Sequence, residues 1–374
     1  MADKKMLKVL LISVRADYGG GPEHIYRLIN ELKDKIEFFV ACPCDIPYCD
    51  RYKELLGKNR LIQIPHRSFR ISSLINLFSF LKENKIDLIH SHGKGAGIYS
   101  RLLSAASGLK CIHTFHGIHI YNLNYFNRLF HILLEKFLSI FTGKFIAVSD
   151  SEAEEAINRG LCSNDKINVI YNGVHLPAKQ TEFNPSAGGK LNVITITRFD
   201  HAKNNSLLLN IIEQIKTITD PGKFSFIFLG SGPEENKIKQ QAEQKQLNGL
   251  IRFAGFTDNT SQFLVKAFCY ISTSRREGLP LGVLEAMSFG VPVVASDVPG
   301  NNDIITHGKD GFLFDLKKPE SAADFIIRLS NDPALWKSLS ENARIKTADK
   351  FSLNTMAERT YLLYKSILNR EEEV

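Results

Sequence analysis

Two glutamates separated by seven residues bracket the segment Glu277-Gly-Leu-Pro-Leu-Gly-Val-Leu-Glu285, which continues as Ala286-Met-Ser-Phe-Gly290-Val-Pro-Val-Val. The order of residue types predicts a glycine-bearing turn, the start of a helix and then a buried strand. A turn entering a helix offers backbone N–H groups and a positive helix end to a phosphate. Carboxylates accept hydrogen bonds from sugar or ribose hydroxyls. The segment therefore suits a phosphorylated, hydroxyl-rich ligand, and a nucleotide sugar is both.

Cations come from a second segment. Arg198 and Lys203 lie in Ile196-Thr-Arg-Phe-Asp-His-Ala-Lys-Asn, directly after an apolar run. A loop at the carboxyl end of a parallel strand is a usual ligand position, and both cations can reach one diphosphate from it. Asp-x-Asp occurs nowhere in the chain, so no metal is expected. Arg198, Lys203 and the Gly278–Gly282 amides would take the phosphate charge, each charge-assisted contact being worth roughly 1.5–3 kcal/mol. Taken singly, either cation reads as a solvated side chain. Glu285 lies in an apolar helical stretch, where an unpaired buried charge would be costly and a ligand hydroxyl would resolve that cost.

The first half carries Gly19-Gly20-Gly21-Pro22-Glu23-His24 between an apolar run and a helical segment, with Pro22 suited to a first helical turn. His116 follows another apolar run in Thr114-Phe-His-Gly117. His90, His92, His113 and His119 are expected to be ordinary hydrogen-bonded histidines. Gly93-Lys-Gly-Ala lacks the Ser or Thr and the upstream spacing of a Walker loop.

Short apolar strands alternating with helix-length segments must position these groups, the pattern of a parallel sheet covered on both faces. Strands are expected at 8–13, 37–41, 61–64, 88–90, 111–114, 145–148 and 168–170, then at 192–197, 225–229, 251–254, 269–273, 293–295 and 312–314. Between the two sets, residues 177–190 lose periodicity and gather prolines and glycines, as a linker does. The expected organisation is residues 1–176, a linker at 177–190, residues 191–350, and a last helix over 351–374 that packs back on the first domain. Helices are expected throughout after Pro319.

At 374 residues, with 44% hydrophobic and 23% charged, the chain is sized for two globular domains. No apolar run is long enough to span a bilayer, and the start reads as a first strand rather than a signal peptide. A cytoplasmic location is expected. Cys42, Cys44 and Cys49 lack a completing zinc set, so reduced structural thiols are expected. A net charge of +7 with dispersed basic residues argues against nucleic acid. Tyr125 to Phe141 is apolar over a wide stripe with Arg128 and Lys136 at its edge. It either packs on its own sheet or docks on the inner membrane leaflet.

Glu277 and Glu285 at their spacing, with Gly19-Gly20, His116-Gly117, Val148-Ser149, Asn172-Gly173-Val174, Arg198, Lys203 and Gly230-Ser-Gly232-Pro233 in order, resemble the retaining family 4 glycosyltransferases over nearly the whole chain. That resemblance implies an α/β fold of GT-B type, two facing Rossmann-like domains with a central cleft. It implies a nucleotide-sugar donor, held by Gly19, Gly20, Arg198, Lys203, Phe256, Glu277, Gly278, Leu279, Pro280, Leu281 and Glu285. Glu277 would meet the transferred sugar and Glu285 the ribose, while Phe256 is either beside the base or in the core. Gly21, Glu23 and His24 fall on the acceptor side, and His116 near the reacting sugar. His116, Glu277, Arg198 and Lys203 would carry the chemistry, without metal or other cofactor, on a glycan or polyprenyl-linked acceptor. A catalytically silent nucleotide-sugar-binding subunit and a nucleotide-sugar epimerase of the same fold are the alternatives. The chain departs from the family pattern at Pro280-Leu-Gly282, His175 and Pro299-Gly300-Asn301-Asn302.

Overall fold

The structure, a computed structural model, describes residues 6–118, 124–178 and 189–369. His119, most of the expected linker and the terminal glutamates lie outside the described residues. The chain divides into two compact units, residues 1–173 with 353–374, and residues 174–352.

The first unit is built on strands β1 (Leu7–Ile12), β2 (Ile36–Cys42), β3 (Leu61–Gln63), β4 (Leu88–His92), β5 (Lys110–Thr114), β6 (Lys144–Ala147) and β7 (Ile167–Val169). They form one parallel sheet in the order β3-β2-β1-β4-β5-β6-β7. Its helices are α1 (Gly20–Leu32), α2 (Tyr48–Leu56), α3 (Ile71–Asn84), α4 (Lys94–Ser107), α5 (Tyr125–Leu138) and α6 (Asp150–Asn158). Strand alternation feeds two cores: Val9, Leu11, Phe38, Val40 and Leu88 join one, and Leu10, Ile12, Phe39, Ala41 and Ile89 the other. Both faces are covered, which is why these strands read as unbroken apolar runs.

The second unit carries α7 (Asn205–Ile218), α8 (Glu235–Gln244), α9 (Ser261–Leu264), α10 (Leu281–Ser288), α11 (Asn301–Ile304), α12 (Glu320–Asn331) and α13 (Pro333–Lys350). Its sheet comprises β8 (Leu191–Ile196), β9 (Phe224–Leu229), β10 (Ile251–Gly255), β11 (Cys269–Ser272), β12 (Val293–Ser296) and β13 (Phe312–Phe314), in the parallel order β10-β9-β8-β11-β12-β13. Trp336 closes its core, with Nε1 donating to Phe268 O at 2.7 Å.

The last helix, α14 (Leu353–Ile367), belongs to the first unit. It buries Leu353, Met356, Ala357 and Tyr364 in the core beside α1. Gly173 N donates to Met356 Sδ at 3.2 Å, and Tyr364 Oη lies 2.5 Å from His90 Nδ1.

Helix α5 is amphipathic in reverse. It buries His131, Glu135 and Leu138, while Tyr125, Phe126, Leu129, Phe130, Leu133 and Phe137 are exposed, Phe126 by 79%. Packing of the aromatic stripe on its own sheet, one of the two sequence expectations, is thus not what these six side chains do. The inner face is fixed instead by a buried ion pair, Arg101 Nη1 to Glu135 Oε2 at 2.6 Å, with Arg101 Nε also donating to Thr142 Oγ1 at 3.1 Å. Removing one partner strands the other charge in a low dielectric. Glu135→Ala is expected to cost about 3–5 kcal/mol of unfolding free energy, read by urea denaturation. A loss within ~0.5 kcal/mol, the range of ordinary surface substitutions, would show that the pair does not hold α5.

Candidate functional site

In each sheet the chain grows outward from one strand, then returns to its other side. The reversal falls between β1 and β4 in the first unit and between β8 and β11 in the second. Loops leaving the carboxyl ends of such neighbouring strands diverge to opposite faces and leave a crevice, where ligands bind in open α/β sheets.

In the second unit those loops hold Lys203, after β8, and Glu277, after β11. Lys203 Nζ lies 2.5 Å from Glu277 Oε1, and Ser274 Oγ donates to the same oxygen at 2.6 Å. The loops are laced together by Thr273 Oγ1, which donates to Lys203 O and Asn204 O at 3.1 Å each, and by Arg275 Nη2, 2.9 Å from Asn204 Oδ1. Arg198, on the same loop as Lys203, pairs with Asp200. Both expected phosphate cations are therefore neutralised by carboxylates before any phosphate arrives. Since Lys203 and Glu277 pair with each other, these two charges do not by themselves require a ligand.

Helix α10 begins after Pro280 without a side-chain cap, so its first amides are not occupied by a neighbouring side chain of the cap. Leu279 and Pro280 are buried below the turn, and Gly278 is partly exposed. A Cβ on Gly282 would stand 2.6 Å from Tyr270 Oη and 3.3 Å from Ile196 Cβ, so glycine lets the helix start close to β8 and β11. Glu285, one turn further on, accepts from Thr260 Oγ1 at 3.2 Å. Phe256 follows β10 and is 41% exposed, so it is not the core side chain that sequence left open.

The turn that departs from the family pattern supports Glu277 directly. Glu277 N donates to Pro299 O at 3.2 Å, and Gly300 has φ +88°, where a Cβ would lie 2.7 Å from Glu277 Cβ.

In the first unit Gly19, Gly20 and Gly21 lead from β1 into α1, His92 ends β4, and His116 follows β5. Gly21 is placed against His116, whose Cδ2 would be 3.9 Å from an added Cβ. His24, His92 and His116 converge: ring centroids are 4.8 Å apart for His24 and His116, 5.4 Å for His24 and His92, and 5.3 Å for His92 and His116. His92 Nδ1 and His116 Nε2 are 3.0 Å apart, and His24 Nδ1 is 3.0 Å from Asn172 Oδ1. Burial, reinforced by neighbouring imidazoles, holds His92 and His116 well below the ordinary histidine pKa. Burial takes His24 down to about 4 against the opposing hydrogen bond to Asn172. All three rings are thus neutral near pH 7. His116 also adopts the left-handed region at φ 57°, strain of the kind found at working sites.

One sequence expectation changes here. His92 is not an ordinary satisfied histidine, because its Nε2 is buried without a hydrogen-bond partner. His90 and His113 are satisfied, through Tyr364 with Thr114 and through Ser91. Glu23, expected on the acceptor side, is engaged by Tyr48 Oη and by Arg27 Nε at 2.5 Å, while Arg27 Nη1 reaches Gly173 O at 3.1 Å. These contacts tie α1 to Tyr48 at the start of α2 and to Gly173. The spacing His90-x-His92 was the available signal for His92, since alternate strand residues share a face. His24 and His116 were then brought to it by helix and loop.

Among the described residues, His24, His92 and His116 are the one group of His, Cys, Asp or Glu whose ligand atoms, within 4.8 Å of one another, could hold a metal ion. Cys42, Cys44 and Cys49 are free thiols lining a cavity of about 220 Å³ beside Lys53.

Sequence comparison matches residues 18–177 to the model described as Glycosyltransferase Family 4 and residues 178–346 to Glycosyl transferases group 1. An uncharacterised glycosyltransferase of Methanocaldococcus jannaschii is 30% identical over 93% of this chain and 95% of its own length. An Escherichia coli UDP-Gal:alpha-D-GlcNAc-diphosphoundecaprenol alpha-1,3-galactosyltransferase is 27% identical over 79% of each chain. Among solved structures, Anabaena HepE in complex with UDP and glucose superposes with a TM-score of 0.83, at 18% identity, over 96% of this chain and all of that one. The protein belongs to the family 4, group 1 glycosyltransferases, and its two Rossmann-like units are those of the GT-B fold.

Gly300→Ala tests the support under Glu277. It forces a side chain into an unfavourable φ and against Glu277, at an expected cost of about 1–3 kcal/mol. Glycosyl transfer should fall by more than the melting temperature accounts for. Full activity at assay temperature would show that the turn does not position Glu277.

Proposed function

We propose that the enzyme transfers a sugar, with retention of anomeric configuration and without metal, from a nucleoside-diphosphate sugar to a glycan or polyprenyl-linked glycan in surface or capsular polysaccharide assembly. The observation that carries this reading is the Lys203–Glu277 pair at the strand reversal of the second unit. It sets a cation for the departing diphosphate beside a carboxylate for the sugar's hydroxyls. UDP is the first base to try, because the E. coli relative is named for UDP-galactose and the Anabaena structure holds UDP.

In the proposed reaction the bond from C1 to the diphosphate oxygen breaks while the acceptor oxygen bonds C1 on the same face. The acceptor's proton passes to the leaving phosphate oxygen. Lys203, Arg198 and the first amides of α10 receive the developing phosphate charge, for which Arg198 must leave Asp200. Glu277 holds the sugar, Glu285 the ribose, and His116, neutral and able to donate or accept, contacts the reacting sugar. Placing donors where charge develops is the largest lever available to such a site.

In EDTA, UDP or a UDP-sugar should raise the melting temperature, and Lys203→Ala should abolish that shift. Turnover of Lys203→Ala and Glu277→Ala should each drop on the order of 100-fold or more. Absence of any nucleotide effect in EDTA, with recovery in magnesium, would refute metal-free phosphate binding.

The reversed face of α5 supports contact with a membrane carrying the acceptor. Arg128 and Lys136 flank its exposed aromatics, so apolar insertion and attraction to anionic headgroups act together. Among the described residues no helix is long and apolar enough to cross a membrane. The protein should cosediment with vesicles containing anionic lipid, and Phe126→Ser with Phe130→Ser should weaken partitioning at least about tenfold. Equal sedimentation of the double variant would rule out α5 as the docking face.

A further inference from the structure

The three imidazoles of the first unit also form a ligand set, a role that glycosyl transfer does not ask of them. His24 comes from α1, His92 from the end of β4 and His116 from the loop after β5. His24 and His92 are 3% and 4% exposed, and His116 is partly exposed. One nitrogen from each lies within 4.8 Å of the other two, and the closest pair is already at 3.0 Å. In a tetrahedral site with metal–nitrogen bonds of about 2.0–2.1 Å, ligand nitrogens stand roughly 3.3 Å apart. Closing the trio on one ion therefore asks the ligand nitrogens to approach by at most about 1.5 Å.

The surroundings match a metal site in two further respects. Asn172 Oδ1 can only accept, so its 3.0 Å contact places the proton of His24 on Nδ1 and leaves Nε2 with a free lone pair. Fixing a ligating ring through its other nitrogen is the usual outer-shell device of metal sites. His92 offers Nδ1, already 3.0 Å from His116 Nε2, and its buried Nε2 has no partner, so no hydrogen bond on that side holds the ring against turning toward an ion. Three neutral nitrogen donors with no carboxylate among them select zinc-class ions over magnesium or calcium.

We propose that His24, His92 and His116 bind one borderline divalent transition-metal ion of the zinc class, and that the occupied form is inhibited because His116 is withdrawn from the reacting sugar. The binding step stands on the histidine geometry alone; the inhibition rests on the role proposed for His116. A filled site would couple transfer to the level of free zinc.

Untagged, chelator-treated, full-length protein would be titrated with cobalt(II), reading ligand-field absorption and stoichiometry by calorimetry. One equivalent is expected to bind. Affinity should fall at least about tenfold in Asn172→Ala, and the visible bands should vanish in His24→Ala or His92→Gln, with circular dichroism confirming that each variant folds. No stoichiometric binding, or binding unchanged in a folded His24 or His92 variant, overturns the site. Zinc should then suppress glycosyl transfer and EDTA restore it. Saturating binding with turnover unchanged would overturn the inhibition, and would count against His116 in the reaction rather than against the site.

Discussion

The reversal of strand order within each parallel sheet is the constraint on which the rest of the structure depends. A strand that feeds a right-handed crossover sends its loop to one face, and its neighbour across the reversal sends its loop to the other. The crevice between them is left open by the diverging connections. In the second unit it receives Lys203 and Glu277, and in the first it receives the glycine turn and His92. Chemistry-bearing residues distant in sequence, such as Lys203 and Glu277, meet because the sheet has this topology.

The two cations expected to meet phosphate already have carboxylate partners. Lys203 is paired with Glu277, and Arg198 with Asp200. A pair that is half-buried tolerates the loss of water because each partner supplies what solvent would have. On the proposed reading, a diphosphate entering the site would exchange one set of charge-assisted contacts for another, so net affinity would be a difference between two strong terms. Pre-pairing also holds Lys203 in place, and the Thr273 and Pro299–Gly300 contacts fix the loops from which both groups project.

The first unit shows a different compromise. Helix α5 gives His131 and Glu135 to the interior and its aromatics to solvent, the reverse of an ordinary surface helix. The arrangement holds in part because Arg101 Nη1 pairs with Glu135 in the interior, although Arg101 Nη2 stays buried without a partner. Nearby, the histidine cluster packs neutral rings where charged ones would be expelled by burial. The unpartnered Nε2 of His92 and the left-handed backbone of His116 are local costs of bringing these rings together.

Sequence by itself determined the strands, the two-sheet organisation and the family. Alternating short apolar runs are what strands buried on both faces must look like, and β1 to β13 each fall within two residues of their expected bounds. It also singled out Glu277 beside a glycine-bearing turn, Lys203 on a loop after an apolar strand, and His116 through the family resemblance. Only tertiary structure decided which groups touch. Tyr48 and Arg27 claim Glu23, Asp200 claims Arg198, and His24 joins His92 and His116 from elements far apart in the chain. Nor could the aromatic stripe of α5 reveal its direction, since an apolar face has the same period whether it points inward or out. What fixed it was the partner of Glu135, Arg101, which lies 34 residues away.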